Sequence, residues 1–452
     1  MCRIGWFIGY LLLVGCQSAT ESVATTNSSN APPQVRDTQL GQVTEGGRFI
    51  RTASTGLATL TEASQTAQLR FYLHQPPQHG SVMVSEAGAI DYRHDGSESR
   101  SDTFQWYASN GYEHSAIATA TFEILAINDP PVWHPTPCLE TPQEEAITAL
   151  LQGNDSDDQQ LHFTLLTPPR LGSLTLDSGS GQFHYRPNPA AARGVDHFTF
   201  RLSDAAGASV EGEQWLLVRQ RLMPLGDSIT AGVVSAAPAD VDGDGNLPPM
   251  AERVGYRQPL QQRLIAAGYR LDFVGPEQAG NSATLPLFDP DHAGEPGMRD
   301  DELAQQLYTL LSDYPADLIL LHIGTNDLNQ SPNHPTAPEQ DVADLLDAFD
   351  RWREDSGQHP TLFIARIIDR YPRDSNTTLF NDRVVDSVVL PRRDSDLIIV
   401  DQERGAGLDY AVDLAEDSLW PQLHPTATGY DKIAAEWYRA LQQSGRLARC
   451  PP

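Results

Sequence analysis

Two stretches of this chain are copies of one another, and the duplication limits its first half more than any other feature. Leu69-Arg70-Phe71-Tyr72-Leu73, Pro76-Pro77, Gly80-Ser81-Val82, Tyr92, Asp102 and Phe104 return as Leu161-His162-Phe163-Thr164-Leu165, Pro168-Pro169, Gly172-Ser173-Leu174, Tyr185, Asp196 and Phe198. The displacement grows from about 92 to about 94 residues along the copy, as one small loop insertion would produce. Within each copy, runs such as Phe122-Glu123-Ile124-Leu125 and Thr199-Phe200-Arg201-Leu202 alternate between turns rich in Gly, Pro and Asp. Alternation with period two puts one face of a strand into a core. The pattern predicts two all-β sandwiches, over 41–127 and 128–220, each of roughly 90 residues.

Among its 452 residues the chain has 60 Asp plus Glu against 31 Lys plus Arg, a formal charge of −29. So acidic a surface repels phosphate backbones and anionic headgroups, which argues against nucleic acid as a partner. The one stretch apolar enough for a membrane runs from Ile4 to Val14. About eleven residues cannot span a ~30 Å hydrocarbon core but suit a signal peptide's apolar region. The run closes on Leu13-Val14-Gly15-Cys16, which resembles a bacterial lipobox. That resemblance implies a signal peptide over 1–16 and a diacylglyceryl group on Cys16. Because Gln17 is not Asp, it also implies sorting to the outer membrane of a Gram-negative cell. A Ser/Thr/Asn/Ala-rich tether covers 17–40. With Cys2 removed and Cys16 acylated, Cys138 and Cys450 remain, and an oxidising envelope compartment allows them to pair or to stay separate.

The repeated text resembles the cadherin-like and immunoglobulin-like modules of bacterial surface proteins. Both copies carry the Pro-x-x-Gly-Ser, Gly-x-x-x-Tyr and Asp-x-Phe pattern, and Asn128-Asp129-Pro130-Pro131 matches the inter-module linker. In cadherins such linkers hold calcium between acidic loops. The second copy offers Asn154, Asp155, Asp157 and Asp158, whereas the first has Ala63-Ser64-Gln65-Thr66, so the ligand set is half supplied. The modules are expected to act as spacers or glycan binders.

From Arg221 the pattern changes. Leu222–Leu225, Leu271–Val274, Asp317–Ile323, Leu362–Ile368 and Leu397–Val400 read as five strands. Between and after them Tyr256–Ala267, Asp301–Ser312, Gln340–Trp352 and Thr428–Gln442 have helical spacing. Such alternation predicts an α/β domain over 221–447 with a parallel five-stranded, flavodoxin-like sheet and any ligand at the carboxyl ends of its strands.

Polar residues collect at those ends: Gly226-Asp227-Ser228-Ile229-Thr230 after the first strand, Gly324-Thr325-Asn326-Asp327-Leu328 after the third, and His424-Pro425-Thr426 before the last helix. Singly, Ser228 is an ordinary helix cap, Asn326 a turn residue and His424 a surface histidine. Together they resemble the blocks of the SGNH (GDSL-like) serine hydrolases, with Gly297 of Glu295-Pro296-Gly297-Met298 as the softer fourth match. The resemblance implies a Ser228–His424 catalytic pair and an oxyanion hole made by Ser228 N–H, Gly297 N–H and the Asn326 amide. Tyr256-Arg257-Gln258-Pro259-Leu260, Gly268-Tyr269, Phe273-Val274-Gly275 and Asp291-His292 look most like carbohydrate esterase family three, the acetylxylan esterases, with Ala293 standing where that group usually has Glu.

Two further features complete the site as read from sequence. Asp240, Asp242, Asp244 and Asn246 reproduce the first half of an EF-hand-type loop, although the position of its final Glu is Ala251. Such a loop is either a structural calcium site or acidic surface, and the serine chemistry itself needs no cofactor. The family also carries Asp three residues before its histidine, where this chain has Pro421. Asp417 is the nearest upstream carboxylate; a backbone carbonyl near Trp420, or Asp413, are the alternatives for orienting His424. The expected protein is a lipid-anchored esterase that O-deacetylates an extracellular or envelope carbohydrate and touches membrane only through its anchor. A lipolytic or thioester-cleaving hydrolase and a catalytically impaired adhesion protein are the competing expectations.

Overall fold

The computed structural model describes residues 31–451 apart from 64–67, 158–159, 190–192, 235–252, 281–287, 331–337 and 416–421. The two copies fold with one topology. In the first, a four-stranded sheet runs Thr38–Thr44, Ala118–Leu125, Ser101–Ser109, Arg70–Gln75, and a three-stranded sheet runs Arg48–Arg51, Ile90–His94, Gly80–Val84. In the second, the corresponding sheets run Leu139–Thr141, Ser209–Val218, Gly194–Ser203, His162–Thr167 and Ile147–Leu150, Gln182–Pro187, Gly172–Leu176. Each core is filled from both sheets, as where Tyr92 stacks on Phe122 with centroids 4.0 Å apart and Phe183 meets Phe198 edge-on at 5.0 Å.

The shared motif has a shared mechanism. Asp102 is buried, and its carboxylate accepts the amides of Gln78, His79 and Thr103 at 2.8–3.1 Å and the Tyr92 hydroxyl at 2.8 Å. Asp196 does the same for Arg170, Leu171 and His197 at 2.8–2.9 Å and for Tyr185 at 3.0 Å. One carboxylate thus pins the turn after the paired prolines to the tyrosine strand. Burial and the neighbouring carboxylate hold both phenols well above the usual tyrosine range. Charge-assisted bonds of this kind are the strong ones, and a buried carboxylate is tolerated only when so satisfied.

The chain divides into two compact units, Met1–Asp129 and Pro130–Pro452, so the second sandwich belongs with everything that follows it. Its last strand, Ser209–Val218, leads through Arg219 and Gln220 into the first strand of the α/β domain. Asp317 accepts from Arg193 Nη1 at 3.1 Å and from the Arg221 amide at 2.7 Å. Arg221 also pairs with Glu144. The Gln220 side chain donates to the Arg446 carbonyl at 2.9 Å and accepts the Ala448 amide at 2.7 Å. A disulfide joins Cys138 to Cys450, with Cα atoms 5.7 Å apart. All these ties lie at the amino ends of the α/β strands.

That domain contains β1 (Arg221–Gly226), α1 (Ser228–Ala231), α2 (Arg257–Ala266), β2 (Asp272–Phe273), β3 (Asp291–Gly294), α3 (Asp300–Asp313) and β4 (Leu318–His322). It continues with α4 (Thr325–Gln330), α5 (Pro338–Ser356), β5 (Thr361–Arg366), α6 (Ser375–Arg383), β6 (Leu397–Asp401) and α7 (Ala427–Ser444). β2 and β3 both pair in parallel with β1, which pairs with β4, then β5, then β6, all parallel. This is the flavodoxin-like order. One face buries Leu303, Leu307, Leu345, Phe349 and Trp352 of α3 and α5; the other buries Leu260, Leu264, Ile433 and Trp437 of α2 and α7. Cover on both faces explains why β4 reads Leu-Ile-Leu-Leu-His without alternation.

The five expected strands all form, and the four helices begin and end within a few residues of expectation. Sequence pattern missed β3, its short antiparallel partner Glu277–Gln278, and α6 with the π-helical Val384–Val389 that continues it. β3 reads Asp-His-Ala-Gly and α6 begins Ser-Asn-Thr-Thr, so neither shows an apolar period.

Candidate active site

β1 ends at Gly226, where φ is +153° and an added Cβ would lie 2.0 Å from the His322 carbonyl oxygen. Only glycine lets β1 turn this tightly against β4. Asp227 then caps the single turn of α1, its Oδ1 accepting the Ile229 amide at 2.9 Å. The next residue is Ser228, 6% exposed, with Oγ 2.9 Å from His424 Nε2. In the tautomer protonated on Nδ1, the hydroxyl donates to Nε2, as a nucleophile donates to its base.

His424 is held from both sides. Its carbonyl accepts the Ala415 amide at 2.9 Å, and Thr426, two residues on, caps α7 through Gly429 N–H at 3.2 Å. The Asp413 carbonyl accepts both the amide and the hydroxyl of Thr426, at 2.8 and 3.1 Å. The buried Asp413 carboxylate accepts the Asp409 amide at 2.7 Å and pairs with Lys432 at 2.6 Å. Asp413 therefore braces the loop, with its charge matched by lysine.

The other two blocks are tied to each other and to β1. The Glu295 amide donates to the Gly226 carbonyl at 3.0 Å, anchoring the turn that carries Gly297. Gly297 has φ +88°, and a Cβ there would meet nothing within 4 Å, so its left-handed backbone, not crowding, calls for glycine. Asn326 Nδ2 donates to the Met298 carbonyl at 2.8 Å. A primary amide has two hydrogens, so this bond fixes the group and leaves the second for a substrate oxygen.

Some supports show their role only in the fold. Arg257 is fully buried and donates to the carbonyls of Thr230, Ala231, Arg253, Ala279 and Pro290 at 3.1, 3.4, 2.7, 3.1 and 2.9 Å. Its guanidinium thereby clamps the chain after the nucleophile, and burial lowers its pKa to about 10. Tyr430 of α7 donates to the Val233 carbonyl at 2.7 Å. Three aspartates are buried near these blocks: Asp227, Asp300 and Asp327. Burial pushes Asp227 up to about 7, and burial with Asp327 alongside raises Asp300 well above the usual carboxylate range. His292 and His322 are buried and neutral, pushed down to about 3 and about 4 by desolvation.

Ser228 and Asn326, in the first turns of α1 and α4, and Gly297 and His424, on loops, thus stand at the carboxyl ends of the strands and before α7, opposite the disulfide end. Asp417, the loop residues Asp240, Asp242, Asp244 and Asn246, and Cys16 lie outside the described residues. In the first unit, Asp129 of the linker gathers with Glu45 and Glu98, their carboxylate oxygens within 4.8 Å of one another.

Residues 222–437 match the family described as GDSL-like lipase/acylhydrolase. This chain carries a GDSL-like acylhydrolase domain. Residues 128–214, just before it, match the bacterial Ig domain family. The match begins within β1 and closes inside α7. A multidomain esterase of Ruminococcus flavefaciens is 29% identical over 267 residues, covering 54% of this chain and 29% of that protein. The chain therefore spans under a third of that relative's length. Among solved structures, a Clostridium thermocellum family 3 carbohydrate esterase is 26% identical with a TM-score of 0.39, covering 50% of this chain and 96% of its own. A carbohydrate esterase family 3 protein from Talaromyces cellulolyticus is 21% identical, also with a TM-score of 0.39, covering 50% of this chain and 97% of its own.

Proposed function

We propose that this protein is a serine esterase that removes O-acetyl groups from an extracellular or envelope carbohydrate. The observation that carries the reading is the 2.9 Å bond between Ser228 Oγ and His424 Nε2, at the carboxyl end of a parallel sheet. His424 takes the Ser228 proton as Oγ attacks the acetyl carbonyl, and returns it to the departing sugar hydroxyl. Ser228 N–H, Gly297 N–H and the spare Asn326 hydrogen receive the oxyanion, where one donor typically contributes about 2.7–4 kcal/mol. Water then releases acetate from Ser228 by the same steps in reverse. Asp417 is the acid we assign to His424 Nδ1, supported by its position seven residues upstream and by the commitment of Asp413 to Lys432.

The carbohydrate part of the reading draws on the family-three text around Tyr256 and Asp291 and on the Ig-like modules that precede the hydrolase. Anchoring through Cys16 at the outer membrane, and calcium in the Asp240–Asn246 loop, rest on their sequence motifs alone. The test is acetate release from a panel of acetylated polysaccharides, alongside 4-nitrophenyl esters from acetate to palmitate. Rates should be highest for acetate, and Ser228→Ala should lower kcat by several orders of magnitude. A variant keeping more than about a tenth of wild-type kcat removes Ser228 as nucleophile; a preference for long acyl chains removes the deacetylase reading.

A further inference from the structure

Between β5 and α6 the chain passes through a loop, 367–374, at the carboxyl end of the sheet. The loop is braced from within. The buried Asp369 carboxylate accepts the amides of Arg370 at 2.9 Å and Asp374 at 3.1 and 3.2 Å, and pairs with Arg373 Nε at 3.0 Å. The Asp369 amide donates to the Tyr410 hydroxyl at 3.2 Å. Two residues on, the Tyr371 amide donates to the Gln422 carbonyl at 2.9 Å, and the Gln422 amide donates back to the Tyr371 carbonyl at 3.1 Å. Cα atoms in such a pair lie about 5.5 Å apart, and two residues cover at most about 7 Å of chain, which sets the Tyr371 backbone within roughly 13 Å of His424.

From this placement we infer that Tyr371 is the platform on which a sugar ring next to the acetylated one stacks, and so sets the preference for polymer over small esters. The inference rests on the deacetylase reading above. Tyr92, Tyr185, Tyr256, Tyr410 and Tyr430 are buried, with their hydroxyls bonded to protein groups. Tyr371 is 40% exposed, and its hydroxyl has no hydrogen-bond partner among the described residues. The neighbouring guanidiniums are engaged elsewhere: Arg373 lies over the Tyr410 ring at 4.9 Å, and Arg370 pairs with Asp374 at 3.0 Å. A single exposed tyrosine on a surface is ordinary. One on a braced loop, tied by two backbone bonds to the segment that carries His424, presents a fixed aromatic face with little conformational entropy left to lose. The C–H face of a pyranose is apolar and its rim of hydroxyls polar; a phenol matches both, ring against ring and hydroxyl toward water. Residues directly opposite in an antiparallel pair share one face, which puts Gln422 beside the ring. Its amide oxygen has no hydrogen-bond partner among the described residues, so nothing holds the group against turning to a sugar hydroxyl. The platform touches no reacting atom. It holds ground state and transition state alike, and acts through KM.

The test compares two substrates in the full chain. Acetate release is measured from oligosaccharides cut from the fastest acetylated polysaccharide of the panel and, in parallel, from 4-nitrophenyl acetate, for wild type and Tyr371→Ala. The ratio of the two kcat/KM values should fall about tenfold or more, through a raised KM for the oligosaccharide. Tyr371→Phe and Tyr371→Trp should keep the ratio within about threefold of wild type, because the sugar meets the aromatic face and not the hydroxyl. A merely structural part for Tyr371 would move both substrates together and leave the ratio alone. Should Tyr371→Ala fail to fold, Tyr371→Leu, which keeps bulk without a ring, replaces it with the same expected loss. An unchanged ratio in the folded variant, or an equal loss in Tyr371→Phe, overturns the platform and leaves the deacetylase reading standing. A wild-type protein that hydrolyses 4-nitrophenyl acetate but releases acetate from no carbohydrate overturns both.

Discussion

Ser228 Oγ lies 2.9 Å from His424 Nε2, and to serve as the proposed base the imidazole needs a partner that keeps Nδ1 protonated. Sequence spacing put Asp417 first and Asp413 behind it. The structure commits the Asp413 carboxylate to Lys432 and the Asp409 amide, which leaves Asp417 as the acid to test. Replacing an orienting Asp by Asn costs about 10⁴ in kcat in the serine-protease template, through the wrong histidine tautomer. Asp417→Asn should therefore lower kcat for acetyl ester at least ~10²-fold with Tm unchanged, whereas Asp413→Asn should lower Tm. A rate within threefold of wild type for Asp417→Asn would hand the role to a backbone carbonyl. At this scale the residues proposed as nucleophile, base and oxyanion donors could be picked out in sequence because each sits in a short block with its own turn chemistry. Arg257 was not legible as a support, since what it does depends on carbonyls brought in from distant segments.

Between elements, the loop leaving the nucleophile depends on one side chain of α2. Arg257 meets five carbonyl oxygens from four stretches of chain, in a planar array of donors that lysine cannot reproduce. Arg257→Lys should leave several buried carbonyls without donors, at about 1–3 kcal/mol for each group left unsatisfied. The expected outcome is a large fall in the Tm of the catalytic unit, with kcat reduced because α1 and Ser228 shift. Thermal melts combined with 4-nitrophenyl acetate kinetics read both effects, and wild-type values for the two together would remove the clamp. The strands and long helices were readable because their apolar period is set by cover on one or both faces. β3 and α6 escaped because their place comes from neighbours: β3 from pairing with Leu225 and Gly226, α6 from Asn381, whose side chain exchanges hydrogen bonds with Ile367 at 2.8 and 2.9 Å.

At the level of the whole chain, the second sandwich and the GDSL-like domain form one compact unit closed by Cys138–Cys450, which lie 312 residues apart. By loop-closure entropy a cross-link over so long a segment is worth about 6 kcal/mol, slightly above the range observed for real disulfides. Cys138→Ser/Cys450→Ser should therefore lower the Tm of this unit by several degrees while leaving kcat near wild type, since the bond lies at the opposite end of the strands from Ser228. A double variant with unchanged Tm would show that the seam around Asp317 and Gln220 holds without it.

The same cross-link changes how the molecule meets mechanical load. Tension entering from the amino-terminal side reaches Cys138 before it reaches any strand of the α/β sheet, and the sulfur bridge hands it directly to Cys450. Everything from residue 139 to residue 449 hangs from that short path as a slack ring. A pull applied before Cys138 and after Cys450 therefore stretches the bridge, while the GDSL-like domain stays off the line of force. Pulled instead through substrate gripped at the opposite end of the sheet, the domain carries the load along its strands, in shear.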